Sequence, residues 1–308
     1  MKSLLSKVKI GSQPGGRPPA AVEISPEGVL AAAAPGPGQP PVYAFEPLPA
    51  GALVPGIGEP NLRAPEAIAN AIRSVLSQVP TRKRAVTLVL PDTVVRVFML
   101  DFDTLPAKPA EAFPVLRFRL RKMVPFEVEH AGLSYQVLTE SKTECKVLAA
   151  IMPGPILAEY EAAVRAAGYE PGAVVPSGLA ALEAIESIAS MEAVLIANLS
   201  PLSLTTSITN GKDLLLYRTL DLPEELTQRL LEVRRGVAVA AAYFEDRLQV
   251  RPRQLYYAGP GVAFDFGQWI GDEELAIVEL APRPETGIAT TLGSANLAGV
   301  VGALAGVS

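Results

Sequence analysis

One histidine, His130, and one cysteine, Cys145, bound the side-chain chemistry open to this chain of 308 residues. His130 follows Glu127 and Glu129, and an imidazole beside carboxylates is a candidate general base. A base of that kind needs a nucleophile, and the chain has no Gly-x-Ser-x-Gly turn. His130 therefore reads as a residue on a solvated loop. Cys145 opens a strand, where a thiol is ordinarily structural. One cysteine excludes an internal disulfide and a cysteine zinc cluster, and one histidine excludes zinc sites built from several. This usage fits the reducing cytosol.

Charged groups are sparse, at 19% against 49% hydrophobic, with 27 Lys and Arg against 32 Asp and Glu. The net charge of −5 argues against nucleic acid as the main partner, because phosphate binding wants a basic face. The local exception is Arg117, Arg119, Arg121 and Lys122, which reads either as an exposed polar face or as a contact for an acidic partner or anionic membrane. Alternate residues on a helix do not share one face, which weakens the second reading. Met123, Val124, Pro125 and Phe126 follow as an apolar knot, suited to a core or to the wall of a groove for a partner peptide.

The elements that must position these residues alternate. A length of 308 fits about two domains at roughly 150 residues each. Residues 11–20 are rich in Pro and Gly and read as a tether. Val22–Ala33 reads as a strand pair with a turn at Ser25–Gly28, and Val42–Phe45 as another strand. From about Pro65, Ile68, Ile72, Val75, Leu76 and Val79 recur at helical spacing. Ala85–Leu90 is a continuous apolar run suited to a buried strand, and Pro91-Asp92 marks a turn. Val94–Leu100 is the next strand, Ala107–Val124 is helical, and strands follow at Leu133–Leu138 and Lys146–Ile151. Pro155–Ala167 is an amphipathic helix stopped at Gly168. A helix at 178–189 and a strand at Val194–Asn198 follow. Asn210-Gly211 then joins strands Leu202–Thr209 and Leu214–Thr219 into a hairpin. Pro223–Asp246 is helical, and Leu255–Ala258 is a strand ending in Gly259-Pro260-Gly261. Strands and helices alternate with a hairpin in each half, an α/β chain of two related lobes.

The termini carry no clear targeting signal. Lys7 and Lys9 break the apolar run an export signal needs. Leu4, Leu5 and Val8 could face a membrane surface with Lys2, Lys7 and Lys9 around them, or simply form a solvated tail. Thr286–Ser308 is uncharged and long enough to span a bilayer, but its Gly, Ala, Ser and Thr suit a helix packed under a sheet better than a membrane span.

The ordered series of segments resembles the type IV pilus assembly protein PilM family, within the actin-like ATPase superfamily and close to the cell-division protein FtsA. It is carried by VYAFEPLPAGALVPGIGEPNLRAPEAIANAIRSVL from Val42, AVTLVLPDTVVRVFMLDFDTLP from Ala85 and RLRKMVPFEVE from Arg119. Tyr160–Pro171, Val194–Ser200 and Leu255–Gly261 follow in order, so the likeness spans about residues 20–305. It implies a bilobed actin-like fold with an inserted βαββ subdomain. The family usually carries a longer helical subdomain after the second hairpin; here Leu220–Leu222 runs almost at once into the helix Pro223–Asp246, so the second lobe reads as shortened, its helical lid reduced or absent. By that analogy residues 1–20 are a tether, 21–85 and 151–190 the first-lobe core, 86–150 the insert, and 191–308 the second lobe.

The resemblance also implies a nucleotide between the lobes, on two phosphate-binding hairpins and a glycine-rich adenosine loop. A phosphate hairpin needs Gly for close backbone approach and Asp to hold Mg²⁺ through water. The matching first hairpin runs Glu23-Ile24-Ser25-Pro26-Glu27-Gly28, with Glu23 for the Asp, Ser25 for a Gly and Pro26 lacking an N–H. The second runs Asn198-Leu199-Ser200-Pro201, with both carboxylate and Gly lost. The adenosine loop corresponds to Gly259-Pro260-Gly261. The expected cofactor is accordingly none, and the expected role is a pseudo-ATPase scaffold, bound through Arg119, Met123, Val124, Pro125 and Phe126 to the cytosolic tail of a PilN-like inner-membrane protein. Pilus assembly ATPases, peripheral membrane contact and self-association are further partners the resemblance allows. The alternatives are an actin-like ATPase or switch that still takes ATP and Mg²⁺, and the cytoplasmic domain of a type II secretion platform protein.

Overall fold

A computed structural model describes residues 17–36, 38–81, 83–185, 192–281, 292 and 295–305. The first lobe is built on β1 (Ala20–Ile24), β2 (Gly28–Ala33), β3 (Val42–Pro47), β4 (Ala85–Leu90) and β8 (Glu170–Pro176), in the order β3-β2-β1-β4-β8. The second lobe is built on β9 (Ala193–Leu199), β10 (Ser203–Asn210), β11 (Asp213–Asp221), β12 (Gln254–Ala258) and β13 (Ala276–Glu279), in the order β11-β10-β9-β12-β13. The two sheets repeat one plan. An antiparallel meander comes first, and its first strand then pairs parallel with a later one, β1 with β4 and β9 with β12. The turns at Ser25–Gly28 and Ser200–Ser203 are therefore equivalent hairpin tips.

Strand periodicity explains how each sheet is covered, because successive side chains point to opposite faces. Ala20, Val22 and Ile24 of β1 join one core, while Ala21 faces another. The first core is closed by α1 (Pro65–Gln78) and α3 (Gly154–Ala166), whose buried faces include Ile68, Ile72, Leu76 and Tyr160. On the opposite face lie α4 (Ser177–Ile185), buried along its whole length, and a C-terminal helix. In β9, Val194 and Ile196 face the first-lobe core, while Leu195, Ala197 and Leu199 face α5 (Leu226–Leu248) and α6 (Ala263–Ile270). Glu225 starts α5 by accepting N–H bonds from Thr227 and Gln228, both at 2.8 Å.

The insert is a three-stranded sheet of β5 (Arg96–Phe102), β7 (Cys145–Met152) and β6 (Gly132–Glu140), in that order, with α2 (Pro109–Leu120) on one face. Leu148, Ala150 and Met152 on the other face enter the first-lobe core. Three expected boundaries change. The strand Ala85–Leu90 lies between β1 and β8 in the first-lobe sheet, so the insert begins after it, not at residue 86. The tether expected over residues 1–20 does not hold for its last part, because the Arg17 guanidinium is buried 3.0 Å from the Glu183 carboxylate of α4; residues 1–16 lie outside those described. The C-terminal helix α7 (Ala298–Ala305) packs on α4, β1 and β2 of the first lobe, although it follows the second lobe in sequence. No described helix is long and apolar enough to cross a membrane. The second half of the helix expected at 178–189 falls outside the described residues.

Candidate functional site

The two hairpin tips and the end of β4 converge on a cleft of about 280 Å³ between the lobes. Glu23, Ser25, Asn198 and Ser200 all line it, so four residues singled out from the sequence come together. Most backbone donors of the two tips are already used. Ser25 and Gly28 exchange N–H···O bonds of 2.9 and 3.2 Å across the first tip, and Pro26 has no N–H. In the second tip the Ser200 N–H bonds the Ser203 carbonyl at 2.8 Å, while Leu202 and Ser203 N–H groups donate to Ser200 Oγ at 3.3 and 3.0 Å.

Asp92 is the residue that sequence reasoning missed, having been read as a turn after Pro91. It begins a short 3-10 turn after β4 and is almost fully buried. Oδ1 accepts from the Gly178 N–H at 2.8 Å, and Oδ2 accepts from Asn198 Nδ2 at 3.1 Å and Thr205 Oγ1 at 2.7 Å. Asn198 Oδ1 in turn accepts from Asn296 Nδ2 at 2.9 Å. The chain of bonds ties β4 and α4 of the first lobe to β9 and β10 of the second. Burial pushes the Asp92 carboxyl above its ordinary range, against the pull of its three donors. The available signal was position: a carboxylate just past the carboxyl end of a buried parallel strand, where α/β sheets hold ligands.

Glu23 lies beside this network. Its residue keeps some surface open to the cleft, while the carboxyl is set deep in protein. Burial first, then the neighbouring charges of Asp92 and Glu27, push it up to about 8, and a hydrogen bond with Ser177 works the other way. Its Oε2 is sealed from solvent, set against Gly299 of α7 beside the Ser177 hydroxyl and not open to the cleft.

Gly259 and Gly261 stand after β12 as expected, with Gly261 at φ 79°. The space beside them is only about 20 Å³, room for a water but not for an adenine ring. Tyr257 Oη fills the turn, bonding the Pro260 carbonyl at 2.7 Å, and its ring stacks on Phe266 at 4.2 Å. By charge and donor count, these residues fit a magnesium triphosphate poorly. The cleft is lined by Glu23, Glu27 and Asp92 and by no Lys, Arg or His among the described residues. Among the described residues no group of three or more His, Cys, Asp and Glu side chains could hold a metal.

The partner-binding candidates separate at the insert. Val124 and Phe126 pack into the insert core with Leu116 and Leu120. Arg119, Met123 and Pro125 stay at the surface. Phe118, which the sequence did not single out, is 72% exposed, with Val115 at 36% nearly one turn before it on α2 and Met123 at 42% in the turn that follows the helix. Two of the basic residues are structural. Arg117 bonds the carbonyls of Val128 and Ala131, and Arg121 pairs with Glu129. His130 is exposed on the loop before β6, and Cys145 is buried.

Neither a family model nor a curated protein matches the sequence. Solved structures do match the fold. The chain is similar to PilM of a PilM–PilN type IV pilus biogenesis complex, with a TM-score of 0.73 and 22% identity over 94% of this chain and 98% of that one. A Bacteroides thetaiotaomicron protein of actin-like ATPase fold and unknown function aligns at a TM-score of 0.51 and 11% identity, over 84% and 90% of the two chains. The fold is that of the actin-like ATPases.

Proposed function

We propose that this chain is a cytosolic scaffold at the inner-membrane platform of a type IV pilus, acting by holding the cytosolic tail of a PilN-like membrane protein and not by turning over ATP. The observation that carries the reading is the likeness to PilM over nearly the whole of both chains, insert included. The hairpin tips, where Ser25, Gly28, Ser200, Leu202 and Ser203 N–H groups are already bonded, and the acid-lined cleft support the non-catalytic half of it.

The docking face is the outer side of α2. Val115, Phe118 and Arg119 recur at helical spacing there, and Met123 follows within one turn. An exposed aromatic and a methionine beside a free-standing guanidinium suit an extended or helical segment with apolar anchors and an acidic residue. A tail that orders on binding gives modest affinity, raised where several copies act together. The test is a titration of a synthetic PilN-like tail from the same organism. Micromolar binding is expected, weakened at least about tenfold in the double variant Phe118→Asp, Met123→Asp. Both side chains are exposed, so the thermal midpoint stays unchanged. Equal binding by the double variant refutes the docking face, and no binding by the wild-type chain refutes the partner.

A further inference from the structure

The outer side of α5 is apolar where a surface helix is ordinarily polar. One stripe of the helix, Val233, Val237, Ala240 and Phe244, packs into the second-lobe core. Solvent then calls for charged or polar residues on the opposite side. Instead Gly236–Phe244 reads GVAVAAAYF, about two and a half turns without a charged side chain. Its single hydroxyl, on Tyr243, is turned to the Leu215 carbonyl at 3.4 Å. Ala238, Val239 and Ala242 are exposed there, and Leu231, nearer the start of the helix, is 60% exposed. A helix that is apolar on every side is one that something covers.

We propose that α5 is the seam of a homodimer, in which two copies of this chain pair their α5 helices antiparallel about a two-fold axis. The exposed stripe is its own complement. Leu231, Arg235, Ala238, Ala242 and Asp246 recur at intervals of three and four residues, so they lie along one line of the helix. Turned end for end about the midpoint of Ala238 and Ala242, that line sets each alanine opposite the other, and small side chains let the two backbones come close. The same operation brings Arg235 of each copy opposite the Glu245-Asp246 end of the other, twice by symmetry. Within its own chain Arg235 meets only Glu232, at 3.8 Å on the surface. Glu245 is already held by Arg251 at 3.3 Å, which leaves Asp246 as the acceptor. Unlike charges at the two ends also disfavour an anionic membrane as the cover, because Glu245 and Asp246 would face its phosphates.

The size of the seam sets its strength. A helix of 23 residues is about 35 Å long, and one helix pair buries less than the roughly 800 Å² per partner of a standard stable interface. The dimer is therefore weak in solution, with a Kd on the order of 100 μM, and fills where copies are held close together. The seam lies on the second lobe and the tail-docking face on α2 of the insert, so the proposal goes beyond tail binding and its test does not depend on that reading.

The experiment is analytical ultracentrifugation of the full chain from about 10 to 500 μM, in about 50 mM salt so that the charge pairs are little screened. Wild type is expected to pass from monomer to dimer over that range. Arg235→Glu and Asp246→Arg each set like charges opposite one another at both ends, and each weakens self-association at least about tenfold. An equimolar mixture of the two variants restores unlike pairs at both ends and associates at least as tightly as wild type. Ala242→Glu, which puts a charge into the apolar centre, abolishes the dimer independently of the end pairs. All three positions are exposed, so the variants keep the wild-type thermal midpoint. A wild-type chain still monomeric at about 500 μM overturns the proposal. So does a dimer that the single variants leave intact, which would form through another face, and so does a mixture that associates no better than either variant alone.

Discussion

Glu23 makes the molecule sensitive to pH. A carboxyl held up to about 8 when folded, against 4.5 when free, binds its proton more tightly in the native state. The unfolded chain releases that proton first as pH rises, so stability is highest below about 4.5 and falls until about 8. Each unit in that window costs up to about 1.4 kcal/mol. Asp92 acts in the same direction, since burial outweighs its donors. Urea unfolding of wild type and Glu23→Gln at pH 5 and pH 8 checks this. Wild type should lose on the order of a few kcal/mol relative to the variant across the interval, and parallel pH profiles contradict it. At this scale the sequence was legible where a residue sits on a recognisable turn. The Ser25–Gly28 turn could be placed from local pattern, and Glu23, Asn198 and Ser200 beside the two hairpin tips from the family resemblance. Asp92 could not, because its partners Gly178, Asn198 and Thr205 stand 86, 106 and 113 residues away.

At the scale of elements, the contact between α4 and α7 holds the back of the cleft. It depends on glycine. A Cβ on Gly302 would lie 1.7 Å from the Ala180 carbonyl oxygen of α4, and one on Gly299 would lie 2.4 Å from Glu23 Oε2. Backbone cannot yield as a side-chain tip can, so Gly302→Ala must push α7 off α4. The expected cost is about 3 kcal/mol or more, read as a lowered urea midpoint. A loss under about 0.5 kcal/mol shows that the two helices are not so closely seated. Periodicity made most elements legible: β9 alternates between two cores, and α1 buries one stripe. Allegiance was another matter. Ala85–Leu90 reads as a buried strand from any sheet, and α7 reads as a small-residue helix that either lobe might claim by composition. Only the pairing of β4 with β1 and β8, and the fit of Gly302 on Ala180, decide where each belongs.

On the scale of the whole molecule, two copies of one sheet plan face each other and are bonded across the gap. Asp92 joins Asn198 and Thr205, Asn296 joins Asn198, and Arg96 of the insert reaches Asp221 of β11 at 2.9 Å. In a nucleotide switch the ligand bridges the lobes; here side chains do so directly. The bilobed plan and the hairpin tips could be read from the order of segments, while the bonding across the gap arises only when residues distant in sequence meet. The central claim is that this actin-like body acts by binding without nucleotide. Its most direct test is a calorimetric and thermal-shift titration of the purified chain with ATP and Mg²⁺ to about 1 mM, where a ligand with a Kd of about 10 μM would stabilise the fold by about 2.7 kcal/mol. The account predicts no binding heat and an unmoved midpoint. Micromolar binding with a raised midpoint contradicts it and restores the nucleotide switch.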